Sequence, residues 1–263
     1  MSKEHKEYLH KVTKRKIIIH TLQFSLLGFL LILWQVAADI GIINAFISSS
    51  PSRVLKTILS LHNQGTLYHH IWITAYETII SFTIGTLVGL VIATLLWWFD
   101  ILAKILDPYL TVLNSLPKVA LGPIILIWCG ANMSSIILMA MLVSVIVAIL
   151  NVYQGFCMVD QQKLKLMKSF GANKWQICFY LIFPGSLKNI ISTLKLNISM
   201  CLIGVIMGEF LVSKEGIGYL IMYGSQVFNL NLVISGVVLL AILATFFYTI
   251  VSIIEKKCIS NNN

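Results

Sequence analysis

The chain has 263 residues, of which 58% are apolar and only 11% charged, and its mean hydropathy is +0.88. An average soluble domain carries roughly 25% charged residues, so these figures exclude a soluble globular surface, a disordered chain, a coiled coil and a disulfide-stapled secreted module. What remains is an all-α integral membrane protein, and the excess of 19 Lys and Arg over 10 Asp and Glu bears on topology rather than on nucleic acid.

A membrane helix needs roughly 20 mostly apolar residues, and six stretches qualify. A basic N-terminal segment, 1–16, precedes the first, Ile17–Ala38. Its apolar run exceeds the roughly 7–15 residues of a signal-peptide core and reads as a retained anchor. Between Asp39 and Trp72, Ser50-Pro51 places an N-cap serine before a proline at the first helical position. Val54, Leu55, Ile58 and Leu59 then share one face, which predicts a short amphipathic helix. It lies on the membrane surface, packs over a mouth, or simply connects.

The second span is Ile73–Phe99. Glu77 opens it, at the interface, and Gly85 and Gly89 form a GxxxG spacing that permits close packing, within one subunit or at a dimer seam. The third, Tyr109–Trp128, holds Pro117 and Pro123, each of which removes a backbone donor and kinks a helix. Lys118 lies between them, and an unpaired lysine at membrane depth costs roughly 2.5–3.5 kcal/mol on insertion scales. Together with Asn114 and Ser115 it either lines a polar pathway or is held by pairing or snorkelling. The fourth span is Ser134–Tyr153. The fifth, Asn189–Val212, carries Asn197 and Glu209 as further candidates for pathway lining, Glu209 being a gate contact or an interfacial cap. Leu232–Ile254 is the sixth, and 17–263 forms a single transmembrane domain.

The connection from about 155 to 188 is longer than a tight turn needs. Asp160 caps a first helix with an apolar stripe of Leu164, Met167 and Phe170 and a polar rim of Lys163, Lys165 and Lys168. Gly171 stands where a C′ glycine ends a helix. Asn173 restarts one, with Gln176 three residues on as in a capping box, and the chain runs on to Pro184. Such a pair either enters a groove on a soluble partner or lies on anionic lipid.

The basic residues orient the spans. With the N-terminus inside, fourteen of them fall on the inner side, Arg53, Lys56 and Lys214 fall outside, and Lys118 and Lys195 lie within spans. Both termini are therefore predicted cytoplasmic. The five cysteines form no CxxC pair and the histidines lack metal spacing, so the expectation is no metal and no catalytic site. No Gly-Lys dipeptide occurs, which excludes a Walker A phosphate loop.

The stretch Lys165 to Pro184 resembles the EAA loop of ABC-importer permeases, through Gly171-Ala172 and Phe183-Pro184. Leu106-Asp107-Pro108, the run Leu116-Pro117-Lys118-Val119-Ala120-Leu121-Gly122-Pro123, Trp128-Cys129-Gly130, Gly208-Glu209-Phe210 with Gly216-Ile217-Gly218-Tyr219-Leu220, and Ser50-Pro51-Ser52-Arg53-Val54-Leu55 are similar to the nitrate, sulfonate, taurine and thiamine-precursor branch of that family. The resemblance implies the type I importer permease fold and a non-catalytic, plasma-membrane subunit of an ATP-driven importer. Its substrate would be a small solute such as a sulfonate, nitrate or vitamin precursor. The implied partners are cytosolic ATPase subunits that bind ATP and magnesium, a second permease copy or paralogue, an extracytoplasmic binding protein and membrane lipid, with no nucleic acid. ATPase coupling is carried over to Leu164, Lys165, Met167, Phe170, Gly171, Ala172 and Pro184. The chain departs from the EAA pattern at Lys165, Leu166 and Met167, a reversed charge and two larger side chains. Either the partner carries complementary changes or coupling is weaker. The competing expectation is a secondary transporter working without an ATPase; such proteins need coupling acids in their spans, and none lies mid-span here.

Overall fold

The computed structural model describes residues 3–43 and 48–260. Residues 1, 2, 44–47 and 261–263, which belong to the basic N-terminal segment, the first long loop and the C-terminal end, lie outside the described residues. Regular structure among the described residues is helical. In chain order it comprises α1 (Lys3–Asp39), α2 (Pro51–Asn63), α3 (Leu67–Trp98), α4 (Asp100–Ser115), a 3₁₀ turn (Lys118–Leu121) and α5 (Gly122–Cys129). There follow α6 (Met133–Cys157), α7 (Gln161–Ser169), α8 (Lys174–Ile177), a π turn (Cys178–Ile182), α9 (Phe183–Val212), α10 (Ile217–Gln226) and α11 (Leu230–Ser260). Among the described residues five stretches are long and apolar enough to cross a membrane: Val12–Asp39, Leu67–Trp98, Met133–Cys157, Lys174–Val212 and Leu230–Lys257. A bent pair, α4 with the segment Lys118–Cys129, makes a sixth if it counts as one span.

The bent pair corrects the expected third span. It begins at Asp100 rather than Tyr109, and its halves meet at 90° instead of forming one kinked helix. The break falls at Leu116 and Pro117, whose ψ angles of 138° and 92° are extended. A proline pushes the residue before it out of the helical region, so the chain turns there. Pro123 causes no kink, because it sits in the first turn of α5, where the missing N–H is not needed.

The fifth span is also longer than Asn189–Val212. From Lys174 to Val212 the chain is one continuous run of 39 residues. The π turn at Cys178–Ile182, closed by the Phe183 N–H donating to the Cys178 carbonyl, precedes Pro184. Proline lacks an N–H to extend an α ladder, and the wider i→i+5 turn carries the helix past it.

The bundle is organised around α6, against which α3 and α9 lie along most of their length. Small residues set the spacing. A side-chain carbon at Gly89 would come within 2.6 Å of the Ala148 Cβ, and one at Gly204 within 2.5 Å of the Ala140 Cα. The GxxxG pair on α3 therefore packs inside the chain, against α6. On the other side of α9, Leu239, Leu243, Phe247 and Val251 of α11 form a core with Ile198, Leu202 and Ile217. The outer surface is studded with exposed Leu, Ile and Phe, and none of the most apolar stretch of α1 is buried. An apolar exterior around helices that bond their own backbone groups is what a bilayer requires.

Candidate functional site

The polar and aromatic side chains gather at the two ends of α3. At its C-terminal end stands the α7–α8 pair. Asp160 caps α7 through the Gln162 N–H at 2.8 Å. Gly171 adopts φ +75° with nothing near its missing side chain, so conformation alone requires glycine there. The Gly171 N–H bonds the Lys168 carbonyl and the Ala172 N–H bonds the Met167 carbonyl, the two bonds of a Schellman stop. Asn173 and Gln176 then close a complete capping box.

The expected apolar stripe divides between two faces. Leu164, Met167 and Ala172 pack inward on the cluster of Val159, Ile177 and Ile182. Phe170 and Leu166 project outward, at 77% and 54% exposure, among the exposed Lys163, Lys165 and Lys168. Pro184 is exposed on the continuing helix. The Trp175 ring lies tilted against Trp98, centroids 4.6 Å apart, and stacks on Phe179 at 5.8 Å; Phe179 stacks on Phe183, which meets Phe156 of α6 edge-on. Lys174 donates to the Trp98 carbonyl. Trp97 and Trp98 thus clamp the helical pair to the end of α3.

At the N-terminal end of α3 lies a buried polar knot. Glu77 and Glu209 are each 1% exposed, and their carboxyl groups face one another. Thr74 donates to Glu209 Oε1 at 2.6 Å and accepts from the Ile217 N–H at 2.8 Å. The Gly218 N–H donates to Glu209 Oε2, and the Gly216 N–H donates to His70 Nδ1 at 3.0 Å. Side-chain carbons at Gly216 and Gly218 would strike the Glu209 carboxylate within 2.6 Å. Among the described residues Glu77 Oε2 has no hydrogen-bond partner, and Glu77 borders a cavity of about 370 Å³ that Asn132 and Lys214 also line. Glu77, expected at the interface, is buried within the protein and faces α9.

The remaining candidates are scattered. Asn197 is buried and donates to Thr86 at 2.7 Å. Asn114 and Ser115 are exposed at the end of α4, and Lys118 reaches back across the break to donate to the Asn114 carbonyl at 2.8 Å. These three do not meet Asn197 or Glu209. Sequence reasoning missed Thr74 and the Trp98–Trp175 contact, which join residues far apart in the chain. It also missed Glu255, which pairs with Lys195 while that ammonium lies 5.4 Å from the Tyr248 ring. The Gly216-x-Gly218 spacing was the one local signal of a group lodged against that turn.

Residues 85–260 match the family described as "Binding-protein-dependent transport system inner membrane component". The chain is 26% identical over 231 residues to the putative aliphatic sulfonates transport permease protein SsuC of Bacillus subtilis (strain 168), covering 88% of this chain and 84% of that protein. It is 24% identical over 229 residues to the taurine transport system permease protein TauC of Escherichia coli (strain K12), covering 85% and 83%. Against the formylaminopyrimidine transport permease protein ThiX of Halalkalibacterium halodurans it is 24% identical over 190 residues, covering 72% and 75%. Among solved structures, the fold is similar to an inward-facing conformation of the MetNI methionine ABC transporter, with TM-score 0.66 and 16% identity over 74% of this chain and 96% of that one.

Proposed function

Since the chain belongs to the family of binding-protein-dependent transport system inner membrane components, we propose how its parts divide the work of an importer. It is a membrane-spanning permease subunit of an ABC importer. It forms the membrane route, and ATP and magnesium are bound by a separate ATPase chain. The α7–Gly171–α8 pair is the surface that meets the ATPase, with Phe170 and Leu166 as its apolar contacts and Lys163, Lys165 and Lys168 as a basic rim. A second copy or paralogue completes the pathway, and an external binding protein delivers solute at the His70 end. Relatives are named for sulfonates, taurine and a formylaminopyrimidine, and the solute here is of that size and polarity. The membrane is the plasma membrane, with both termini on the cytoplasmic side.

The preformed helical pair carries this reading. It is capped at both joints, so it needs no folding on contact. It is also stacked through Trp175 and Phe179 onto Trp98 and Phe156, so displacement of the pair is transmitted to α3, α6 and α9. Left-handed backbone at Gly171 costs a non-glycine residue about 1–2 kcal/mol, and more for a β-branched one. Affinity purification of the tagged chain in mild detergent, followed by mass spectrometry, is expected to recover an ABC ATPase from wild type and much less from Gly171→Val or Phe170→Ala. Transport by the chain alone in vesicles without ATP would overturn the reading in favour of an ion-coupled carrier.

A further inference from the structure

A cleft of about 790 Å³ opens at the His70 end, between α2 on one side and α3, α10 and the start of α11 on the other. That volume lies in the range of roughly 300–1,000 Å³ typical of small-molecule sites. Its walls differ in chemistry. Arg53 and Lys56 line it from α2. Across from them runs a ladder of rings, His70 on Tyr219 at 6.0 Å and Tyr219 on Tyr223 at 5.8 Å, with interplanar angles of 27° and 25°. Asn229 and Asn231 close one end, and the lining includes no Asp or Glu.

Hydrogen bonds within the protein leave acceptors at Thr57, Thr66 and Gln64, and donors at the His70 and asparagine side chains. His70 Nδ1 accepts the Gly216 N–H, so the proton of the neutral ring sits on Nε2. The side-chain oxygen of Asn231 accepts from Ser49 at 2.7 Å, and that of Asn229 accepts from the Leu232 N–H. Each amide still offers its NH₂ group, with one lone pair left on its oxygen. A concave, donor-rich, acid-free surface beside a ring ladder suits a ligand with an anionic head and an apolar body: guanidinium and ammonium pair with the head, and ring faces cover the body.

We infer that this cleft is a binding site for a small organic oxyanion, a sulfonate, carboxylate or phosphate ester, with its head at Arg53 and Lys56 and its body along Tyr219 and Tyr223. The same chemistry is presented by a free solute and by the headgroup of an anionic phospholipid. An anion-selective mouth is what the site contributes to an importer, a role that rests on the permease reading; binding itself does not.

The test uses the full chain purified in a neutral alkyl maltoside and titrated calorimetrically with benzenesulfonate, with neutral benzenesulfonamide as control. Saturable binding of the sulfonate alone is expected. Arg53→Gln with Lys56→Gln is expected to weaken it about tenfold or more, the scale of a lost charge-assisted hydrogen bond, and Tyr219→Ala several-fold. Should the double variant fail to elute as a folded species, Lys56→Gln alone gives the readout, since Lys56 is exposed. Repetition in nanodiscs separates the sources: competition by phosphatidylglycerol assigns the site to lipid headgroups, and undiminished sulfonate binding assigns it to free solute. Absence of saturable binding in every medium, or binding that the variants leave unchanged, overturns the inference. Sulfonate binding without any co-purifying ATPase would leave the site standing and overturn the proposed ATPase contact; a co-purifying ATPase without sulfonate binding would do the reverse.

Discussion

The Glu209 carboxylate occupies the space that side chains at 216 and 218 would need. Burying a carboxyl group is costly unless its oxygens are bonded, and here Thr74 and the Gly218 N–H supply those bonds. Gly218→Ala forces a methyl group into the carboxylate, and overpacking of this kind costs about 1–3 kcal/mol. A lower melting temperature in detergent is the expected result. Glu209→Gln keeps the shape and one acceptor and is expected to lower it less than Glu209→Ala. Combining Glu209→Ala with Gly218→Ala should recover part of the loss, because the first change vacates the space the second needs; strictly additive melting shifts would refute the steric account. Residue-level legibility followed sequence distance. Asp160, Gly171 and the Asn173–Gln176 pair act within one turn, so their roles could be read from spacing. The meeting of Glu77 with Glu209 depends on how α3 and α9 pack, and no local pattern encodes it.

At the scale of helices, the contact between Trp98 and Trp175 fixes where the α7–α8 pair sits. An aromatic pair contributes about 0.5–1.5 kcal/mol beyond area burial, and Trp175 is 62% exposed, so its truncation should loosen the pair without unfolding the bundle. Trypsin is expected to cut Trp175→Ala faster than wild type at the lysines between 163 and 174, while the melting temperature moves little. Equal cleavage rates would mean that the stack is not what anchors the pair. The long uniform helices α3, α6 and α11 were legible because apolar runs of that length have few other uses. Around Pro117 the text of the sequence was ambiguous. Proline there permits anything from a mild kink to a right-angled corner, and packing against α6 and α9 selects the corner.

For the molecule as a whole, charge and shape agree on two unlike ends. Lys163, Lys165, Lys168 and Lys174 lie at the Trp98 end, whereas Arg53, Lys56 and Lys214 lie at the His70 end. By the positive-inside rule the larger basic group is expected on the cytoplasmic side. A membrane-impermeant maleimide applied to intact cells is therefore expected to label a cysteine placed at Lys214 and to spare one placed at Lys168; the opposite pattern would invert the assigned topology. Such a cysteine scan reads orientation directly, which neither hydropathy nor helix packing determines.

The π turn before Pro184 has a consequence for phase. Each residue of an α-helix advances the chain by about 100° around its axis, and a π turn holds one residue more than the α turn it replaces. That surplus residue sets the rotational setting of Trp175, and with it the direction in which Phe170 points, relative to α9. Deleting one position between 178 and 182 would wind the turn back into an ordinary one and swing the whole protruding pair through roughly a quarter of a circle, leaving every side chain in it intact and all of them facing the wrong way. A single-residue insertion or deletion here thus acts as an angular adjustment, a change of aim rather than of composition.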